Sequence, residues 1–161
     1  MARIIIERNE LARVCREIQS QGKRIVTTNG VFDLIHVGHI RYLNFCKELG
    51  DVLIVGVNAD SSVKQYKGDK RPIVGEADRA ELIAALSCVD YVHIFSERTP
   101  EAWLNVVKPA IHVKAGDYKL SQIIEKAVVE KNGGKIIIVK VEKSYSTTAL
   151  IRRIISLYKN Q

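Results

Sequence analysis

The chain of 161 residues has no apolar run near the ~18 residues that a membrane span needs. Its N-terminus carries neither the basic n-region nor the apolar h-region of a secretory signal. Both absences predict a cytoplasmic protein that does not meet a membrane. Cysteine is scarce: Cys15, Cys46 and Cys88 are an odd number, and no two stand at a metal-ligand spacing. Each falls among apolar residues on a predicted helix or at its end, so each reads as a plain buried thiol. There is no run of five basic residues and no interleaving of basic with aromatic residues. The net charge of +7 is therefore read as suiting small anionic substrates, and no nucleic acid partner is expected. Low-complexity tracts, internal repeats and linkers are also absent.

Apolar residues make up 47% of the sequence and charged residues 27%, the balance of a soluble globular protein. The length fits one domain over residues 1–161, with residues 1–22 expected as a helical extension packed on it. Leu11, Val14, Cys15 and Ile18 repeat at helical spacing behind Asn9, a candidate N-cap. Short apolar runs at 24–28, 51–57, 91–95, 111–114 and 135–141 read as strands. Helical patterns lie between them: 37–49, with Ile40, Leu43 and Phe45 as apolar positions; a short helix from Asp60; 76–86, with Ala80, Ile83, Ala84 and Leu86 inward. Thr99-Pro100 predicts a cap followed by proline at the first helical position. A helix is expected up to Asn132, where Gly133-Gly134 stops it. A last helix is expected over 146–158, capped by Ser146 or a neighbouring threonine. Continuous apolar strands alternating with helices predict an α/β fold, a doubly wound parallel five-stranded sheet of Rossmann-like type. Ligands in such folds bind beyond the carboxyl ends of the strands.

The end of the first of these strands carries Asn29-Gly30-Val31-Phe32-Asp33-Leu34-Ile35-His36-Val37-Gly38-His39. Gly30 lets backbone approach a ligand closely. His36 and His39 are one turn apart at a helix N-terminus, where free amides and the helix dipole favour an anion. Phosphoryl and nucleotidyl transfer need mainly positioning and neutralisation of developing negative charge, which two imidazoles and a helix N-terminus supply. Read alone, the histidines would also serve as cap, core or metal-binding residues, but no third ligand for zinc follows at a usual spacing.

The run Gly30-Val31-Phe32-Asp33-Leu34-Ile35-His36-Val37-Gly38-His39 resembles the G-x-F-D-x-x-H-x-G-H signature of the cytidylyltransferase-like nucleotidyltransferases. Ser146-Thr147-Thr148-Ala149-Leu150-Ile151-Arg152-Arg153-Ile154 resembles the second signature of that superfamily, in which a Ser/Thr-rich turn opens a phosphate-holding helix. The two lie more than a hundred residues apart, in the right order. Within the superfamily, Lys67-Gly68-Asp69-Lys70-Arg71-Pro72 and Val113-Lys114-Ala115-Gly116-Asp117-Tyr118 resemble loops of the heptose 1-phosphate adenylyltransferases, here in a stand-alone form. Ser87-Cys88-Val89-Asp90 departs from the Arg-Tyr-Val-Asp of cytidylyltransferases that bind CTP through that arginine. The Arg-Thr-Glu-Gly run of those enzymes is replaced by Val141-Glu142-Lys143-Ser144, where Lys143 would restore the charge or stand in solvent.

The resemblance implies an adenylyltransferase that joins ATP to a sugar 1-phosphate, giving ADP-heptose and pyrophosphate. His36, His39, Lys67 and Arg71 would be catalytic. Asn29, Gly30, Val31, Phe32, Asp33, Gly38, Asp117, Ser146, Thr147, Thr148 and Arg153 would bind the nucleotide. Lys64 would hold the acceptor phosphate, and Asp33 would anchor its loop by hydrogen bonds without acting as a base. Arg79 is open between an ion pair and a ligand, while Trp103, Tyr66 and Tyr118 read first as packing. Mg2+ would arrive with ATP, with no metal site of the protein's own, and relatives suggest a homodimer. The alternatives are a glycerol 3-phosphate-type cytidylyltransferase and a nucleotide-binding module without catalysis.

Overall fold

A strand covered on both faces has to be apolar throughout, and residues 52–58 are buried at every position. In the computed structural model, which describes residues 1–140 and 146–159, that strand lies within a six-stranded sheet. The strands are β1 (Arg3–Ile5), β2 (Ile25–Gly30), β3 (Val52–Asn58), β4 (Tyr91–Phe95), β5 (Ile111–Ala115) and β6 (Lys135–Val139). Their order is β1-β4-β3-β2-β5-β6, and every neighbouring pair is parallel.

The expectation of five strands is corrected to six. The added strand, β1, has three residues, of which only Ile5 is buried. So short a segment has neither the length nor the alternation that marks a strand in sequence. Pairing makes it one: Ile5 lies opposite His93, and its carbonyl accepts the His93 Nδ1–H at 2.9 Å.

The helices are α1 (Arg8–Ser20), α2 (Val37–Glu48), α3 (Asp60–Lys67), α4 (Glu76–Ala84), α5 (Glu101–Val107), α6 (Lys126–Lys131) and α7 (Thr147–Tyr158). α2 and α4 cover one face of the sheet, burying Leu43, Cys46, Ala80 and Ile83 against Leu53, Val55 and Val92. α1, α5 and α6 cover the other, where Leu11, Cys15, Trp103 and Val129 meet Ile25, Ile54 and Phe95. All three thiols are buried, and burial pushes those of Cys15 and Cys46 up to about 12, so they pack and do not react.

Several local expectations shift. α1 starts at Arg8, with Glu7 and not Asn9 at the N-cap position. Pro100, expected at the first helical position, is the N-cap of α5, which starts one residue later than predicted, and the Thr99 hydroxyl donates to Glu101. The helix expected to reach Asn132 is broken into a 3-10 turn at Leu120–Gln122 and the six-residue α6. On α2 the buried side is Tyr42, Leu43 and Cys46, whereas Ile40 and Phe45 are partly exposed. Ser146 caps α7 as expected, its hydroxyl accepting the Ala149 amide at 3.1 Å.

The order reverses between β2 and β5. Their pairing runs from Val26–Ile111 to Thr28–Val113 and stops, while β2 continues along β3 through Asn29 and Gly30. A crevice therefore opens beyond Thr28 and Val113, at the carboxyl ends of the strands. Tyr42 bolts its floor: the hydroxyl donates to Val113 O at 2.9 Å and meets Thr28 Oγ1 at 2.6 Å.

Candidate active site

The crevice holds a cavity of about 500 Å³. β2 delivers Asn29 and Gly30 to it, and the turn that follows delivers Val31, Phe32 and Asp33. Phe32 sits in the left-handed region at φ 52°, a strained setting for a bulky residue. That turn folds the ring back beneath Gly30. A Cβ on Gly30 would lie 3.1 Å from the ring, a tight contact that would push the ring away by a few tenths of an ångström.

His36 occupies the N-cap position of α2 and His39 its first turn. Their rings stack at 3.8 Å with 16° between planes, and the Phe32 ring meets His39 edge-on at 5.3 Å. Burial lowers the pKa of both imidazoles, and His39 falls to about 4, its stacked neighbour adding to the effect. Two rings so close resist being charged together, so at neutral pH both are neutral hydrogen-bonding groups. The His36 side chain makes no capping hydrogen bond to α2, and Gly38 in the first turn lines the cavity. The positive end of the helix is thus available to an anion.

Asp33 joins this turn to the loop after α3. Its Oδ2 accepts Arg71 Nε at 2.5 Å, and its Oδ1 accepts the amides of Ile73 and Val74 at 2.7 and 2.9 Å. The carboxylate is an anchor, as expected, and the loop it anchors lies forty residues on. Arg71 lines the cavity from that loop, and Lys67 lines it as the last residue of α3.

Arg79 is fully buried and ties the surrounding turns together. Its guanidinium donates to Val31 O, to Asn58 O at 2.8 Å, to Val74 O at 2.9 Å and to Asp60 Oδ1 at 2.6 Å. The open choice between ion pair and ligand resolves as a structural ion pair. The Asp90 carboxylate has a similar duty at the other end of β3, where it accepts Lys47 and the Leu53 amide.

From the opposite wall α7 brings Ser146, Thr147 and Thr148. The Thr147 hydroxyl donates to Leu34 O at 3.4 Å, joining the second motif directly to the first across 113 residues. Thirteen predicted site residues therefore converge on one cavity: Asn29, Gly30, Val31, Phe32, Asp33, His36, Gly38, His39, Lys67, Arg71, Ser146, Thr147 and Thr148; a fourteenth, Arg153, lines a neighbouring cavity of about 660 Å³ that shares His36 and Ser146. Lys64 and Asp117 do not line either cavity; both are exposed, Lys64 on α3 and Asp117 beyond β5. Lys143 lies outside the described residues.

The cavity also has a lining that sequence reading missed: Arg41, Tyr42 and Phe45 on α2, Ala115, Val139 and Lys140 at the strand ends. Gly38, Arg41, Tyr42 and Phe45 follow the i, i+3, i+4, i+7 rule, so the spacing held the signal. Of these, the sequence reading places Gly38 in the site and Phe45 among the apolar positions of the helix, and gives Arg41 and Tyr42 no role. Among the described residues no three His, Cys, Asp or Glu side chains gather to hold a metal ion, and no helix is long and apolar enough to cross a membrane.

Residues 27–156 match the model of a protein family described as cytidylyltransferase-like. The bifunctional protein HldE of Geobacter sulfurreducens is 44% identical over 148 residues, which is 92% of this chain and 30% of that protein. Its counterpart from Geobacter metallireducens is 47% identical over the same length. The chain thus spans less than a third of these curated relatives. A lipopolysaccharide core biosynthesis protein from Thermoplasma volcanium superposes with a TM-score of 0.64 at 35% identity, covering 78% of this chain and 100% of that one. A pantoate-beta-alanine ligase from Francisella tularensis, solved with beta-gamma ATP and beta-alanine, superposes with a TM-score of 0.65. It covers 100% of this chain and 80% of the ligase at 16% identity, a likeness of fold alone.

Proposed function

The chain belongs to the cytidylyltransferase-like family, and from that premise we propose that it is a nucleotidyltransferase that moves AMP from ATP to D-glycero-β-D-manno-heptose 1-phosphate. The products are ADP-heptose and pyrophosphate. The observation that carries this reading is the convergence of both motifs on one cavity, with Thr147 bonded to Leu34 behind the stacked histidines. The ATP and heptose assignments are supported by the resemblance of the 67–72 and 113–118 loops. Loss of the arginine at Ser87 argues against CTP.

The acceptor phosphate is the nucleophile. Its second pKa is near ~6, so at neutral pH it is largely dianionic and needs no base. An acceptor oxygen attacks the α-phosphorus, the bond to the β-phosphate oxygen breaks, and pyrophosphate leaves. The barrier is the meeting of two polyanions, so the protein's task is electrostatic. His36 and His39 donate to the α-phosphate oxygens and the bridging oxygen. Lys67 and Arg71 neutralise pyrophosphate, and the amides of α7 at Ser146–Thr148 hold phosphate. Mg2+ would arrive with the nucleotide and would supply further neutralisation of the phosphate charge. Asp33 fits this division, because its oxygens are taken by Arg71, Ile73 and Val74.

The test is pyrophosphate release from ATP and from CTP, each with the heptose 1-phosphate and with glycerol 3-phosphate. Release with ATP and the heptose alone supports the reading. Release with CTP and glycerol 3-phosphate alone moves the chain to the other branch. Nucleotide binding without release under any pairing makes it a binding module. The fold leaves cytoplasmic placement and a homodimer as part of the same proposal.

A further inference from the structure

Behind the cavity, on the face covered by α1 and α5, one row crosses the sheet. Ile5 stands opposite His93, His93 opposite Gly56, and Gly56 opposite Asn29. Trp103 of α5 is fully buried against this row. Its ring fills the space of the missing Gly56 side chain: a Cβ there would lie 2.6 Å from Cζ2 and 3.0 Å from Cε2, the atom bonded to the indole nitrogen. The same point lies 3.2 Å from Asn29 Cβ. The Trp103 ring and Asn29, which lines the cavity, thus border the same small space above Gly56.

Three polar atoms of this row are buried with no hydrogen-bond partner: Trp103 Nε1, Asn29 Oδ1 and His93 Nε2. Orphans of this kind are rare in folded proteins and call for a partner. Their roles are complementary. The indole only donates and the amide oxygen only accepts. His93 gives its Nδ1–H to Ile5 O, and burial keeps the ring neutral, so Nε2 is an acceptor. One donor and two acceptors are what a single water satisfies, accepting one hydrogen bond and giving two. The His93 and Trp103 ring centroids are 6.0 Å apart with 47° between planes, so the two rings pack side by side in this row.

We propose that Trp103 is a positioning residue for the nucleotide: its indole N–H is linked to Asn29 Oδ1 through one buried water shared with His93, which fixes the Asn29 amide with Nδ2 turned toward the cavity. The assignment rests on the reading that this cavity takes a nucleotide. It gives α5 and the short β1 a part in binding, since β1 sets the tautomer of His93.

Trp103→Phe keeps an aromatic ring and removes the donor. Calorimetric titration with Mg-ATP is expected to show about three- to tenfold weaker binding than wild type, the usual worth of one hydrogen bond, with little change in kcat; the melting temperature falls as well, because the smaller ring leaves a void. An unchanged Kd overturns the proposal, and so does a loss of stability with Kd unchanged. A second arm needs no ligand and keeps the tryptophan. Trp103 is the chain's one tryptophan, so its indole N–H gives a single isolated NMR resonance. Asn29→Ala is expected to shift that resonance and speed its exchange with solvent; an unmoved resonance with unchanged exchange overturns the linkage. Wild type that binds neither ATP nor CTP removes the nucleotide reading instead, and the indole arm then decides the linkage by itself.

Discussion

Asp33 and Arg71 meet at 2.5 Å, with 1% of the aspartate side chain and 16% of the arginine exposed, and so fasten the first motif's turn to the loop that follows Lys67. The aspartate also holds two backbone amides of that loop. Asp33→Asn keeps the shape and one good acceptor but loses the charge. It should lower stability by about 1.5–3 kcal/mol, the range for hydrogen bonds to a charged group. Urea unfolding checks this. A change below about 0.5 kcal/mol would mean that Arg71 and the loop find other partners.

His36→Ala and His39→Ala should each lower kcat by about 10²–10³, the usual loss when one preorganised donor to a developing charge is removed. The melting temperature should move only a few degrees, because neither ring is a major part of the core. Pyrophosphate release, read beside a thermal melt, separates the two effects. Near-normal turnover in both variants would sink the site assignment.

Arg79→Met should cost about 3–5 kcal/mol, as expected when one partner of a buried charged network is removed. Arg79→Lys should recover little, because a single ammonium cannot serve acceptors spread over Val31, Asn58, Asp60 and Val74. Equal stability of the lysine variant and wild type would contradict the network described for this residue.

Stability should fall as the solution is acidified. All four histidines have pKa values lowered from 6.5, chiefly by burial, and His39 stands at about 4. The unfolded chain takes up these protons near pH 6.5 and the folded chain only lower. Between those values the unfolded state binds more protons, so stability is full above about pH 6.5 and is lost toward pH 4. Glu125 extends the loss. The neighbouring His112 and Lys114 hold its carboxyl at about 2 against the cost of burial, so its contribution disappears from pH 4.5 downward. Denaturant melts at pH 7.5, 6, 5 and 4 should show this slope, and His39→Asn should flatten its upper part. A flat profile from 7.5 to 5 would contradict the buried neutral histidines.

Much of this arrangement was legible in the residues. Both motifs announce themselves by fixed spacing, and strands buried on both faces announce a parallel sheet. β1 was not legible, because a strand of three residues exists only through pairing with β4. The partners of Arg79 were not legible either, since Val31, Asn58, Asp60 and Val74 are brought together by three separate turns. Arg41 and Phe45 show a different limit. Helical spacing puts them on one face, but only the fold decides that this face borders a cavity. Lys64 on α3 and Asp117 after β5 carry suitable chemistry, yet the backbone leads both away from the cavity.

The reversal of strand order beside β2 also governs when this cavity comes into being during synthesis. A ribosome-bound chain can complete β2, β3 and β4 and present both histidines long before the opposite wall exists. That wall waits for β5, β6 and the first turn of α7, and for the Thr147–Leu34 contact across 113 residues. Closing so long a loop is slow, and β5 must slot against an already formed β2 edge. Nascent chains stalled before residue 111 should therefore compete poorly for nucleotide, and that exposed β2 edge is where a chaperone would have most to protect.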